Sequence, residues 1–144
     1  MLPAKPRILC VDDEDCREML DLMLNLAKPV YKFVGADSAD KALKMIEDEK
    51  FDLYLFEYRL PNISGIELCR QIRKIDAETP ILFFTGMARP VDRDQAMAAG
   101  ATEYLVKPND LDRLAETIER LLHKSGAVSK LASANSDEVH HGIY

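Results

Sequence analysis

The sequence predicts an α/β fold: a doubly wound parallel sheet of five strands with helices on both faces. Three observations carry the prediction. Five short apolar runs alternate with five segments of helical periodicity, the pattern of repeated βα units. The intervening connections are short, which suits right-handed crossovers in one sheet. Asp12-Asp13, Glu57, Thr85 and Lys107 each fall just after an apolar run. A parallel sheet places all those strand ends on one edge, where open α/β sheets put their ligand chemistry.

The first strand is expected at Ile8–Val11, ended by the acidic run Asp12-Asp-Glu-Asp15. A helix over about Cys16–Ala27 would bury Met19, Leu20, Met23 and Leu26, with Asp15 as its N-cap and Pro29 closing the segment. Val30–Gly35 reads as the second strand. Asp37 or Ser38 then caps a helix over Ala39–Glu49 that turns Ala42, Leu43 and Ile46 inward. Leu53–Phe56 is apolar throughout, as a strand buried on both faces requires. It stops at Glu57, and Pro61, Asn62, Ser64 and Gly65 form a turn.

Helix three is expected over Ile66–Ile75, burying Ile66, Cys69, Ile72 and Leu68. Ile81–Phe84 is the fourth strand, ended by Thr85-Gly86. The alanine-rich segment Val91–Ala99, closed by Gly100, has a thin apolar face and is the helix expected to be least firmly held. Glu103–Val106 forms the fifth strand and runs into Lys107-Pro108. The last helix spans about Leu111–Lys124, with Leu111, Leu114, Ile118, Leu121 and Leu122 on one face and Asn109 or Asp110 as its cap. One domain over residues 1–124 and a flexible tail over 125–144 follow, because the final residues are rich in Ser, Ala and Asn. His140-His141 lies in that tail and reads as solvated rather than as a metal pair.

Composition narrows the function classes. The chain has 144 residues, 31% of them charged, and a net charge of −6. No basic stripe offsets that charge, so direct nucleic-acid binding and attachment to an anionic membrane are not expected. Cys10, Cys16 and Cys69 form no C-x-x-C pair, which disfavours disulfide and zinc scaffolds. No signal core or long apolar run is present, and a cytoplasmic location is expected. A Gly-rich phosphate loop after strand one is missing, which argues against a nucleotide or flavin binder.

In order along the chain stand Val11-Asp12-Asp13, Glu57-Tyr-Arg-Leu-Pro61-Asn-Ile-Ser-Gly65, Phe84-Thr85-Gly86 and Tyr104-Leu-Val-Lys107-Pro108. Together these resemble the receiver domain of bacterial two-component response regulators, from about Arg7 to Lys124. The resemblance implies a flavodoxin-like sheet of order 2-1-3-4-5 and a Mg²⁺-dependent phosphoryl switch rather than an enzyme. By that resemblance Asp13 would bind Mg²⁺ directly, Asp12 through water, and the Arg59 backbone carbonyl would be a further ligand. Thr85 would bond a phosphoryl oxygen and Lys107 would neutralise it. Tyr104 matches an aromatic that turns inward on activation, and Lys107-Pro108 a peptide often cis.

One position departs from the family pattern: the phosphoaccepting aspartate is here Glu57. The expectation is a module not phosphorylated at Glu57, which imitates the phosphorylated state in part or is inert. Divalent binding at Asp12, Asp13 and Glu57 is expected to be weak or absent. Expected partners are a histidine kinase or a downstream effector protein, or a second copy through the last two helices and fifth strand. A small Mg²⁺-dependent phosphohydrolase on a similar sheet is the alternative, though such enzymes generally carry their nucleophile at strand one, often as D-x-D, and here Asp12 and Asp13 are adjacent.

Overall fold

The computed structural model describes residues 5–26 and 30–126. Five parallel strands form one sheet in the order β2-β1-β3-β4-β5. They are β1 (Arg7–Val11), β2 (Lys32–Ala36), β3 (Leu53–Phe56), β4 (Ile81–Thr85) and β5 (Glu103–Val106). The helices are α1 (Glu14–Leu24), α2 (Ala39–Asp48), α3 (Gly65–Ile75), α4 (Pro90–Ala99) and α5 (Leu111–Ser125). The expected fold is borne out, including the strand order.

Alternation along the strands divides the core in two. Leu9, Val11, Tyr54, Phe56, Ile81 and Phe83 pack with α2, α3 and α4. Ile8, Cys10, Leu53, Leu55, Leu82 and Phe84 pack with Leu20 of α1 and with α5. Consecutive residues point to opposite faces of a strand, so a strand covered on both sides must be apolar throughout. β3 satisfies this at every position, and β4 from Ile81 to Phe84, with the buried Thr85 at its end.

The helices confirm most of the expected faces. Ser38 caps α2 by accepting from Lys41 N, and Ala42 is buried while Leu43 and Ile46 pack against the core. α3 buries Ile66, Leu68, Cys69 and Ile72. α5 buries Leu114, Ile118, Leu121 and Leu122 and adds Thr117. α4 buries only Ala96, Ala99 and Asp92. It ends at Gly100, whose φ of 115° is left-handed and favours glycine.

α1 differs from expectation in three ways. Its N-cap is Asp13, which accepts from Cys16 N at 2.8 Å, not Asp15. Four successive acidic residues could each cap, and the end of β1 at Val11 selects the second. The helix ends at Leu24 with Asn25 as C-cap. Only Leu20 is buried: Met19 is 45% and Leu26 74% exposed. Apolar residues on nearly every side of this helix left its inward face ambiguous, and the strand pairing fixes the rotation.

Two smaller corrections concern boundaries and caps. β2 begins at Lys32 rather than Val30. Asp110 precedes α5 but bonds no helix amide, accepting instead from Val106 N of β5. Ser125 and Gly126 close α5. The rest of the expected tail, 127–144 with His140-His141, and the expected end of α1 at Ala27 with Pro29 lie outside the described residues.

Candidate functional site at the strand ends

The carboxyl edge of the sheet carries a cleft of about 610 Å³, lined among others by Asp12, Asp13, Arg17, Glu57 and Arg59. Asp12 and Glu57 end neighbouring strands, since Val11 pairs with Phe56. Lys107 arrives from the far end of the sheet because its amide continues the ladder onto Thr85 O.

At the centre is a three-membered ionic cluster. Lys107 Nζ donates to Asp12 Oδ2 at 2.8 Å and to Glu57 Oε1 at 3.1 Å. Burial pulls the Lys107 ammonium toward neutrality, but the hydrogen bond and charge of Asp12, with the charge of Glu57, outweigh it and hold its pKa above the ordinary value. The remaining carboxylate oxygens are also engaged. Asp12 Oδ1 accepts from Asp13 N, and Glu57 Oε2 accepts from Tyr58 N.

The loop after β3 is folded tightly under this cluster. Gly65 N donates to Tyr58 O, and a Cβ at Gly65 would lie 2.3 Å from the Glu57 carbonyl oxygen. Only glycine lets α3 start this close to β3. Ser64 adds a cap by accepting from Glu67 N. The Lys107–Pro108 peptide on the neighbouring loop is cis, as the resemblance implies.

Thr85 is fully buried, and its hydroxyl oxygen accepts from Met87 N at 3.2 Å. Tyr104, 6% exposed, lies stacked on Phe83 with ring centres 5.8 Å apart. Its hydroxyl donates to Met87 O at 2.6 Å. Burial, then the negative charges of Asp92 and Glu57 among its neighbours, raise the Tyr104 phenol, which stays protonated as a donor.

Hard carboxylate and carbonyl oxygens are the donors Mg²⁺ selects, so this lining fits the ion in kind. As arranged, no three carboxylate, histidine or cysteine side chains among the described residues converge as a metal set. Asp13 Oδ1 is spent on the α1 cap, and the Lys107 ammonium sits against Asp12 and Glu57.

Several participants escaped sequence reasoning. Arg17 Nε donates to the Asp12 carbonyl, and its side chain lies over Gly35 of β2, where a Cβ would clash. Cys16 adjoins Asp12; burial, and then that carboxylate, push its thiol up to about 12, so it stays a thiol. The side chains of Met87 and Tyr58 are joined to their partners by tertiary contacts. A tyrosine directly after the strand-end carboxylate was the only available signal for Tyr58.

The family description "Response regulator receiver domain" matches residues 8–119. The chain is 32% identical, over 92% of its length, to the alkaline phosphatase synthesis transcriptional regulatory protein PhoP of Bacillus subtilis, covering 55% of that protein. It is 34% identical over 94% of its length to the transcriptional regulatory protein ZraR of Salmonella typhimurium, covering 31% of it. The chain thus spans about half or a third of these relatives. Among solved structures, the CheY-like response regulator receiver domain protein of Methanospirillum hungatei superposes with a TM-score of 0.76 at 28% identity, covering 88% of this chain and 100% of that one. The non-phosphorylated HemR receiver domain of Leptospira biflexa gives 0.72 at 32% identity, covering 82% and 94%. No described helix is long and apolar enough to cross a membrane. With the sheet order, the clustered strand-end residues and the match over residues 8–119 in hand, the chain belongs to the response regulator receiver domain family.

Proposed function

We propose that the chain is a signalling module of a two-component phosphorelay in which Glu57 stands at the phosphoacceptor position and sets a phosphorylated-like arrangement without phosphoryl transfer. The observation that carries this reading is Tyr104, held inward on Phe83 and hydrogen-bonded to Met87 O, beside a Lys107 already paired with a carboxylate. Glu57 supplies one negative charge where a phosphoryl group brings roughly −1.5 to −2, so the imitation is partial. Its side chain is longer than aspartate by one methylene, about 1.5 Å. A misplacement of about 1 Å costs roughly a hundredfold in rate, so in-line transfer to Glu57 is slow.

Asp12, Asp13 and the Arg59 carbonyl would hold Mg²⁺, weakly, in competition with Lys107. When bound, the ion would supply charge neutralisation for a transferring phosphoryl group; Lys107 and Thr85 would orient that group's oxygens. The module acts in the cytoplasm by contact with a histidine kinase or downstream effector, or with a second copy, through α4, β5 and α5. The family match favours this signalling reading over the phosphohydrolase.

The test is phosphoryl acceptance read by intact mass at neutral pH, with acetyl phosphate and Mg²⁺. The parent is expected to stay unmodified and Glu57→Asp to gain one phosphoryl group. Adding Lys107→Ala to Glu57→Asp should abolish the Tyr104 response even where mass is gained. A Glu57→Asp protein that remains unmodified, while an ordinary receiver is labelled, overturns the reading.

A further inference from the structure

Two side chains of the loop after β3 reach across to α4 and to the loop that leads into it, Arg59 while also lining the cleft. The Tyr58 hydroxyl donates to Gln95 Oε1 at 2.8 Å, and its ring packs edge-on against Phe83 at 6.2 Å. Arg59 Nε donates to Met87 Sδ at 3.2 Å. Met87 is the same residue whose carbonyl accepts from Tyr104 and whose amide donates to Thr85. The two tethers therefore meet α4 at its middle and the β4–α4 loop just before its first turn.

One bond holds the helix itself and the other the loop that leads into it, so together they constrain where α4 lies. They matter here because α4 buries little apolar surface of its own, only Ala96 and Ala99. Hydrogen bonds weaken steeply once donor and acceptor separate beyond about 3.2 Å or tilt. A shift of the Glu57 loop by an ångström thus either breaks these bonds or carries α4 with it.

We infer that Tyr58 and Arg59 are positioning residues that strap the Glu57 loop to α4 and to the loop leading into it, so that α4 follows the Glu57 loop by a route beside Thr85 and Tyr104. What signal uses the strap rests on the proposed function; the strap itself does not. Met87 joins the two routes, since it holds Arg59 through sulfur and Tyr104 through its carbonyl.

The test is amide hydrogen exchange of the full chain, resolved by residue with NMR. Tyr58→Phe keeps the ring against Phe83 and removes only the hydroxyl. Loss of one net hydrogen bond predicts exchange at the Gln95–Ala99 amides faster by about three- to tenfold, with α3 and α5 unchanged. Gln95→Ala, at an exposed position, should reproduce the effect, and the double variant should add nothing further. Arg59→Ala should move the Tyr104 ring resonances, and Arg59→Lys should restore them in part. Unchanged exchange in α4, equal acceleration in all helices, or additive single effects would overturn the inference. Should Tyr58→Phe fail to fold, Gln95→Ala alone decides it. Failure of Glu57→Asp to accept phosphate would leave every one of these rates in place and bear on the proposed function only.

Discussion

α3 and α4 lie side by side on one face of the sheet and are held there by different physics. α3 sinks Ile66, Leu68, Cys69 and Ile72 into the core and is capped by Ser64. α4 offers two buried alanines and a partly buried Met97, and beyond these it is tied by polar bonds: Tyr58 on Gln95, and the bonds converging on Met87 in the loop before it. Apolar burial is non-directional and tolerates small shifts. Hydrogen bonds are directional and can be exchanged for others at little net cost. The first kind of attachment makes a scaffold. The second makes an element whose position depends on what its partners do, and those partners are the Glu57 loop and Tyr104.

Large-to-small substitution in the two helices should therefore diverge. Ile72→Ala leaves a cavity in a fully buried site and is expected to cost about 3 kcal/mol in denaturant unfolding. Ala96→Gly in α4 should cost about 1 kcal/mol, close to its helix propensity alone, with faster exchange confined to α4. Equal losses from the two would erase the distinction.

The C-terminal end of α3 offers a smaller effect with a pH signature. Burial raises the Asp76 carboxyl, but the Thr79 side chain and amide, the Glu78 amide and the Tyr54 hydroxyl favour its charged form and hold it below the ordinary 3.8. A depressed folded pKa gives stability that is present above the unfolded value and lost as pH falls through the folded one. Asp76→Ala should cost about 1 kcal/mol at pH 7, discounted for partial exposure. The difference from the parent should shrink as pH falls below about 3.8. A loss independent of pH would assign the effect to packing instead.

How much of this was legible in the sequence follows the same division. β3, β4 and the α3 face could be read directly, because burial leaves a periodic apolar record. The thinness of α4 was legible as alanines where leucines would stand. The meeting of Asp12, Glu57 and Lys107 followed from parallel topology alone. The rotation of α1 was not legible, since Met19, Leu22 and Leu26 compete with Leu20 for the inward face. Nor was the Tyr58–Gln95 tether, which depends on where two elements 37 residues apart come to lie and leaves no local pattern.

The most direct measurement concerns Tyr104, because the central claim is that the Glu57 charge on Lys107 holds this ring inward. The Tyr104 ring resonances, shifted by stacking on Phe83, report its position. The account predicts that the parent and phosphorylated Glu57→Asp share one set of shifts. Glu57→Gln and unphosphorylated Glu57→Asp should share another, nearer to those of an exposed tyrosine. Tyr104 shifts that stay the same in Glu57→Gln as in the parent would contradict it.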